Sequence, residues 1–328
     1  MQRQIAFGGG VSSRGALLRG QSIIEYVLII AVIGLVIVFA GPGVAGAIRN
    51  QFNLVGNTVN SGTTDGTDAG GSSGGGAAGA DSATVQAAIA KDAKDWTLDE
   101  QKAVAEDIAA KGEASPAYAK ARAAMDAGTK FSMKLTDGQT LEYKIIGIDH
   151  DDLADGSGKA GLTFLTTSTG IMSRVNATDT NAGGWEKSEL RAKMNSGEIW
   201  NLMPSDFQSK VKSVKKLTNN VSGTDENAAV TATSDKLFLL SYSEIVPTSY
   251  YAADPWTSSE GAQYEAFRGK VTNNYHMSNH AIALGSVWWE RSVLPCNSAC
   301  FLCVHSYGAV TYSSNATDSR CVLTAFCF

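Results

Sequence analysis

Residues 130–148 read KFSMKLTDGQTLEYKIIGI, and this stretch decides the fold class. Phe131, Met133 and Leu135 alternate with polar residues, Asp137-Gly138 supplies a turn, and alternation resumes from Leu141 to Ile148. Two period-2 runs joined by an Asp-Gly turn predict a β-hairpin. Downstream, strand-like runs recur at Gly161 to Thr167, Lys236 to Leu240, Gly285 to Arg291, Cys300 to His305, Ala309 to Tyr312 and Cys321 to Phe328. Helical patterns lie between them, near Trp185 to Asn195, Pro204 to Leu217 and Ser258 to Lys270. Strands at both ends with helices between predict a mixed α+β domain over 129–328.

Upstream of the hairpin the period changes. Residues 82–128 are alanine-rich; Thr97-x-x-Glu100 is a capping box, and Val104 and Ile108 share a helix face. Gly112 is placed as a helix stop, and Pro116 as the first residue of another helix. The apolar stripe is thin, so a helical spacer packed on the next domain is expected. Before it, residues 49–81 are rich in Gly and Ser, including Gly74-Gly75-Gly76, and read as a flexible linker.

Further back, Ile23 to Ala40 is an almost uninterrupted apolar run that ends at Gly41-Pro42-Gly43. With its flanks it reaches about 20 residues, enough to cross about 30 Å of hydrocarbon as a helix. Arg3, Arg14 and Arg19 precede the run and only Arg49 follows it closely, which places the N-terminus in the cytoplasm and the body outside. Glu25 lies inside the run, where a carboxylate costs a few kcal/mol and calls for a partner.

Arg19-Gly20-Gln21-Ser22-Ile23-Ile24-Glu25-Tyr26 resembles the processing site of Flp-type pilins, the type IVb pilins of tight-adherence systems. The resemblance implies a leader over 1–20, cleavage by a prepilin peptidase between Gly20 and Gln21, and a transmembrane and assembly helix over 21–48. It implies that Glu25, with Tyr26 beside it, meets the amino terminus of a neighbouring subunit in the filament. The partners expected are the peptidase, other pilin subunits, the assembly machinery, and the membrane before assembly. The family's major pilins are little more than this helix, so the long body implies a minor or tip pilin. The alternative is a plain signal-anchor.

The chain has 328 residues and a formal charge of −5, which argues against nucleic acid as a partner. Lys210, Lys212, Lys215 and Lys216 read as the solvated face of a helix. Asp149, Asp151, Asp152 and Asp155-Gly156 form a loose acidic turn without EF-hand spacing and read as solvated. Cys300-x-x-Cys303-x-His305 has zinc-compatible ligand types, but strand alternation points neighbours to opposite faces. His276 and His280 sit in a poor helical context. No metal or cofactor is expected.

A second resemblance covers residues 130 to 328. Gly184-Trp185-x-x-Ser188-x-Leu190-Arg191, Leu237-Phe238-Leu239-Leu240-Ser241-x-x-Glu244 and Trp288-Trp289-x-Arg291-Ser292 look like a bacterial C-type-lectin-like domain of the formylglycine-generating-enzyme branch. The ending Arg320-Cys321-Val322-Leu323-Thr324-Ala325-Phe326 departs from that family's Val-Arg-Pro-Ala close.

Residues 291–328 contain no Lys, Glu, Gln, Met or Trp, the five amino acids that no codon ending in a pyrimidine encodes. All five cysteines, Cys296, Cys300, Cys303, Cys321 and Cys327, fall in this tract, an odd count for a disulfide scaffold. Both features resemble the targets of diversity-generating retroelements, which rewrite the 3′ end of a gene at template adenines. On that reading Trp288, Trp289, Arg291, Ser292, Phe301, Leu302, Val304, Gly308, Val310, Leu323 and Phe326 are scaffold. The ligand-contacting positions are Cys296, Asn297, Ala299, Cys300, Cys303, His305, Tyr307, Ala309, Thr311, Tyr312, Ser313, Asn315, Ser319 and Cys321. Small polar and Tyr side chains suit adaptable recognition of a surface ligand. The expected function is a pilus-displayed, variable adhesin without catalysis. The alternatives are a non-varying anchored lectin-like protein and a Cys-dependent oxidase.

Overall fold

The computed structural model describes residues 82–222, 225, 228–247, 260–272 and 279–328. The positions read as a leader, as a membrane and assembly helix with Glu25 and Tyr26, and as a linker, together with Gly20, Gln21 and His276, lie outside the described residues. Among the described residues no helix is long and apolar enough to cross a membrane.

The chain from the spacer onward is mixed α+β. The predicted hairpin forms as β1 (Lys130–Lys134) and β2 (Thr140–Ile148), antiparallel with Lys134 opposite Thr140. Gly138 takes a left-handed φ of 87° in the connecting turn, a conformation that suits glycine. β2 pairs with β3 (Leu162–Thr166), and β3 pairs with β11 (Ala325–Cys327), so the far end of the chain completes this four-stranded antiparallel sheet. Phe326 is the reason it docks there: it stacks on Phe164 with centroids 5.2 Å apart and meets Tyr143 edge-on at 5.2 Å.

A second sheet has the order β4-β10-β7-β8-β9. Its strands are β4 (Met172–Ser173), β10 (Arg320–Cys321), β7 (Trp288–Val293), β8 (Cys300–Val304) and β9 (Tyr312–Asn315). β7 and β8 are buried along their whole length; β8 is accordingly an unbroken apolar run, whereas β7 carries Glu290, Arg291 and Ser292 into the interior. β5 (Val214–Asn219) and β6 (Val230–Asp235) form a two-stranded antiparallel ribbon.

The spacer is part of this body. Helices Ala83–Ala90, Leu98–Lys111 and Tyr118–Ala127 bury Val85, Val104, Ile108 and Met125 in the same apolar core as both sheets. Both capping-box bonds are made at Thr97 and Glu100. Trp96 stacks on Phe131 at 6.1 Å, and the Tyr143 hydroxyl donates to Gln101 Oε1 at 3.1 Å. A Cβ on Gly161 would sit 1.9 Å from the Ala105 carbonyl oxygen, so helix and sheet meet closely there. The last of these helices starts at Tyr118, two residues after Pro116.

Several expected elements are corrected. The helix over Pro204 to Leu217 is a single turn, Ser205–Gln208, followed by β5. Lys216 is therefore a buried strand residue, and Lys210 is buried as well; neither lies on a solvated helix face. Lys236 to Leu240 forms no strand beyond a bridge from Phe238 to Ala325. The helix near Trp185 to Asn195 is Glu189–Asn195, capped by Ser188. From the Ser258 to Lys270 pattern, the described part forms one 3-10 turn, Glu265–Phe267. The strand expected at Ala309 to Tyr312 begins at Tyr312.

Candidate functional site

Two constellations stand out: an exposed face at the β7–β8–β9 end, and a buried charge network beneath a polar cleft.

The face is built on β8. Phe301, Leu302 and Val304 are fully buried, as are Trp288, Trp289, Arg291, Ser292, Gly308, Val310, Leu323 and Phe326. After β8 the chain turns tightly: the Gly308 amide donates to the His305 carbonyl at 2.8 Å. Gly308 has φ of 90°, and a Cβ there would meet the Asn279 carbonyl oxygen at 2.3 Å. This turn lifts an aromatic group outward. His305 lies 4.1 Å from Tyr307 and 4.8 Å from Tyr312, ring centre to centre, and the two tyrosines are 43% and 41% exposed. Elsewhere in the tract Cys296, Asn297, Asn315 and Ser319 are exposed and Ala299, Thr311 and Ser313 are half-buried, Asn315 standing opposite Cys300 at the far end of β8 from His305.

Four of the positions predicted to contact ligand are not at the surface. Cys300, Cys303, Ala309 and Cys321 are buried. Cys303 sits opposite Trp289 in the sheet, and Cys321 opposite Trp288. A side chain inside a packed sheet cannot meet a ligand, so the accessible set is the other ten. Burial also pushes the Cys300, Cys303, Cys321 and Cys327 thiols up, the opposite of an activated nucleophile. All five cysteines are free thiols. Among the described residues no group of three or more His, Cys, Asp or Glu side chains could hold a metal ion.

The second constellation starts from Arg291 in the Trp-Trp-x-Arg-Ser segment. Its guanidinium grips Glu244 with two nitrogens, Nη2 lying 3.0 Å from Oε1, and also donates to the carbonyls of Leu217, Leu239 and Glu260. Glu244 closes a capping box with Ser241 at helix Tyr242–Ile245. Ser292 accepts from the Tyr242 amide at 2.9 Å and donates to Glu260 at 2.5 Å. The Leu-Leu-Ser-x-x-Glu and Trp-Trp-x-Arg-Ser segments thus bind each other, a pairing their separation in sequence did not reveal.

The network continues through Lys216. Its ammonium lies 2.6 Å from Glu244 Oε1 and 2.6 Å from Asp151 Oδ1. Asp151, expected in a solvated turn, is buried and receives hydroxyls from Thr163 at 2.6 Å and Tyr264 at 2.9 Å. Burial alone would raise its carboxyl, but Lys216, His150 and Thr163 hold it well below the usual range. Burial pushes Glu260 up to about 7 against the pull of Arg291. Above the network lies a cleft of about 430 Å³, reached by Asp149, His150, Lys159, Lys215, Glu265 and Arg268. His150 stacks on Tyr264 at 4.1 Å and meets Glu265 at 3.2 Å.

A family model described as "Domain of unknown function (DUF6273)" matches residues 160–327. No curated protein and no solved structure matches the chain.

Proposed function

Because this chain belongs to the DUF6273 family, a domain of unknown function, we propose its role from its own surface: it is a pilus-displayed recognition protein whose C-terminal face binds a surface ligand. One observation carries the reading. Ten of the predicted contact positions, among them Tyr307, Tyr312, His305 and Asn315, are solvent-accessible, while the residues assigned to the scaffold are buried. A rigid base with a polar and aromatic rim is how adaptable recognition surfaces are built. The missing amino acids in 291–328 support variation of that rim by a retroelement, and the Trp288 to Ser292 segment supports a C-type-lectin-like body. The Flp-like Gly20-Gln21 junction and Glu25 support display on a filament at the cell surface.

The display half is tested by N-terminal sequencing of the chain recovered from sheared filaments. A mature chain starting at Gln21, with Glu25→Ala absent from filaments, is the expected result. An intact leader in a chain that stays in the membrane contradicts it and leaves an anchored lectin-like protein.

A further inference from the structure

We propose that Lys216 and Asp151 join in an intramolecular isopeptide bond, with Glu244 as the proton-transfer group. The inference goes beyond ligand recognition and rests on different residues. The three side chains are 3%, 4% and 2% exposed. Lys216 Nζ lies 2.6 Å from Asp151 Oδ1, which places it within roughly 3–3.5 Å of the carboxyl carbon, a near-attack separation. It lies equally close, 2.6 Å, to Glu244 Oε1 on its other side. The Phe238 ring covers the ammonium at 4.3 Å, and Tyr264 packs against it.

The groups that amide formation requires lie within reach of one another, and a proton must first leave Lys216 for Glu244, whose carboxyl Arg291 and Lys216 hold below its ordinary range against the effect of burial. Glu244 takes a proton from Nζ, and the freed lone pair attacks Asp151 Cγ to form the C–N bond. Negative charge grows on Oδ2, which the Thr163 hydroxyl already meets at 2.6 Å and which shares the Tyr264 hydroxyl, 2.9 Å away, with Oδ1 at 3.0 Å. Donors fixed at a developing oxyanion are worth far more in a dry site than in water. The C–Oδ1 bond then breaks. Of the three ammonium protons one stays on the amide nitrogen and two leave with Oδ1 as water, one of them by way of Glu244. No oxidant, reductant or cofactor enters. The water has an exit, since the cleft reaches Asp151, Lys216 and Glu244. Arg291 acts as a positioning residue, its fork holding Glu244 toward Lys216.

A plain buried ion pair is the competing account, and such pairs return little net stability because both ions lose their water. Condensation removes both charges. The resting pair is ionised, each group holding the other in its charged form, so the bond forms slowly after folding rather than during it.

The test is mass spectrometry of the folded, full-length protein after denaturation and trypsin digestion. The expected product is a branched peptide joining residues 145–159 to residues 216–236, about 18 Da lighter than the two together. Lys216→Arg abolishes it, and Glu244→Gln slows its accumulation roughly a hundredfold, the scale of a lost general base. A wild-type chain that is folded, has its full calculated mass after prolonged incubation and is cut normally after Lys216 overturns the proposal. That result is decisive whether or not either variant folds.

Discussion

Glu290 and Arg291 are neighbours on β7, both fully buried, and their fates differ. Arg291 is paired at every turn, whereas neither carboxyl oxygen of Glu290 has a hydrogen-bond partner. Burial, with nearby Glu260 adding to it, holds the Glu290 carboxyl well above its ordinary range. Its folded-state value exceeds its unfolded one, so the folded state binds the extra proton and stability falls as pH rises above the unfolded value. Glu290→Leu should therefore stabilise the protein by about 1–3 kcal/mol at pH 5 and by more at pH 8. Urea melts at the two pH values check this, and an equal or destabilising effect at both contradicts it. The Trp288 to Ser292 segment announced itself in the sequence as scaffold. Its reach to Glu244, 47 residues away, did not, because a lone Arg carries no sign of its partner. Lys216 was misread for the same reason: a run of lysines looks solvated until the acids facing it are known.

At the scale of elements, local chemistry was readable where it was self-contained. The hairpin at Lys130–Ile148 needed nothing beyond its alternation and Asp137-Gly138, and the Thr97 capping box formed as written. Thr97→Ala removes the bond accepted from the Glu100 amide and should cost about 1 kcal/mol in a thermal or urea melt. A change within a few tenths would show that packing of Trp96 and Val104, not the cap, holds this helix. Tertiary pairing defeated local pattern at 204–217. Val211 and Val214 sit three apart, as on a helix, yet hydrogen bonding to β6 draws Val214–Asn219 into a strand. β6 itself, Val-Thr-Ala-Thr-Ser-Asp, has too few apolar residues to be visible in sequence.

In the proposed function, the whole molecule joins a fixed interior to a rim that varies. The sequence showed the compositional gap in 291–328 but could not separate surface from interior within it, because cysteine and alanine fit either. The structure divides that tract: Cys303, Ala309 and Cys321 belong with the packed sheets, while Tyr307, Tyr312 and Asn315 face solvent. If the rim alone recognises ligand, tolerated change should follow exposure, since surface substitutions typically move stability by no more than about 0.5 kcal/mol whereas core changes cost several.

The measurement that tests this most directly is sequencing of the genomic DNA on both sides of the gene. The account predicts a reverse transcriptase beside a near-repeat of the 3′ end. Its mismatches should fall at template adenines and map to codons such as those of Asn297, Tyr307, Tyr312 and Asn315, sparing Phe301, Leu302 and Val304. A gene with no such repeat, or mismatches spread evenly over buried and exposed codons, would contradict the claim that this face is built to vary.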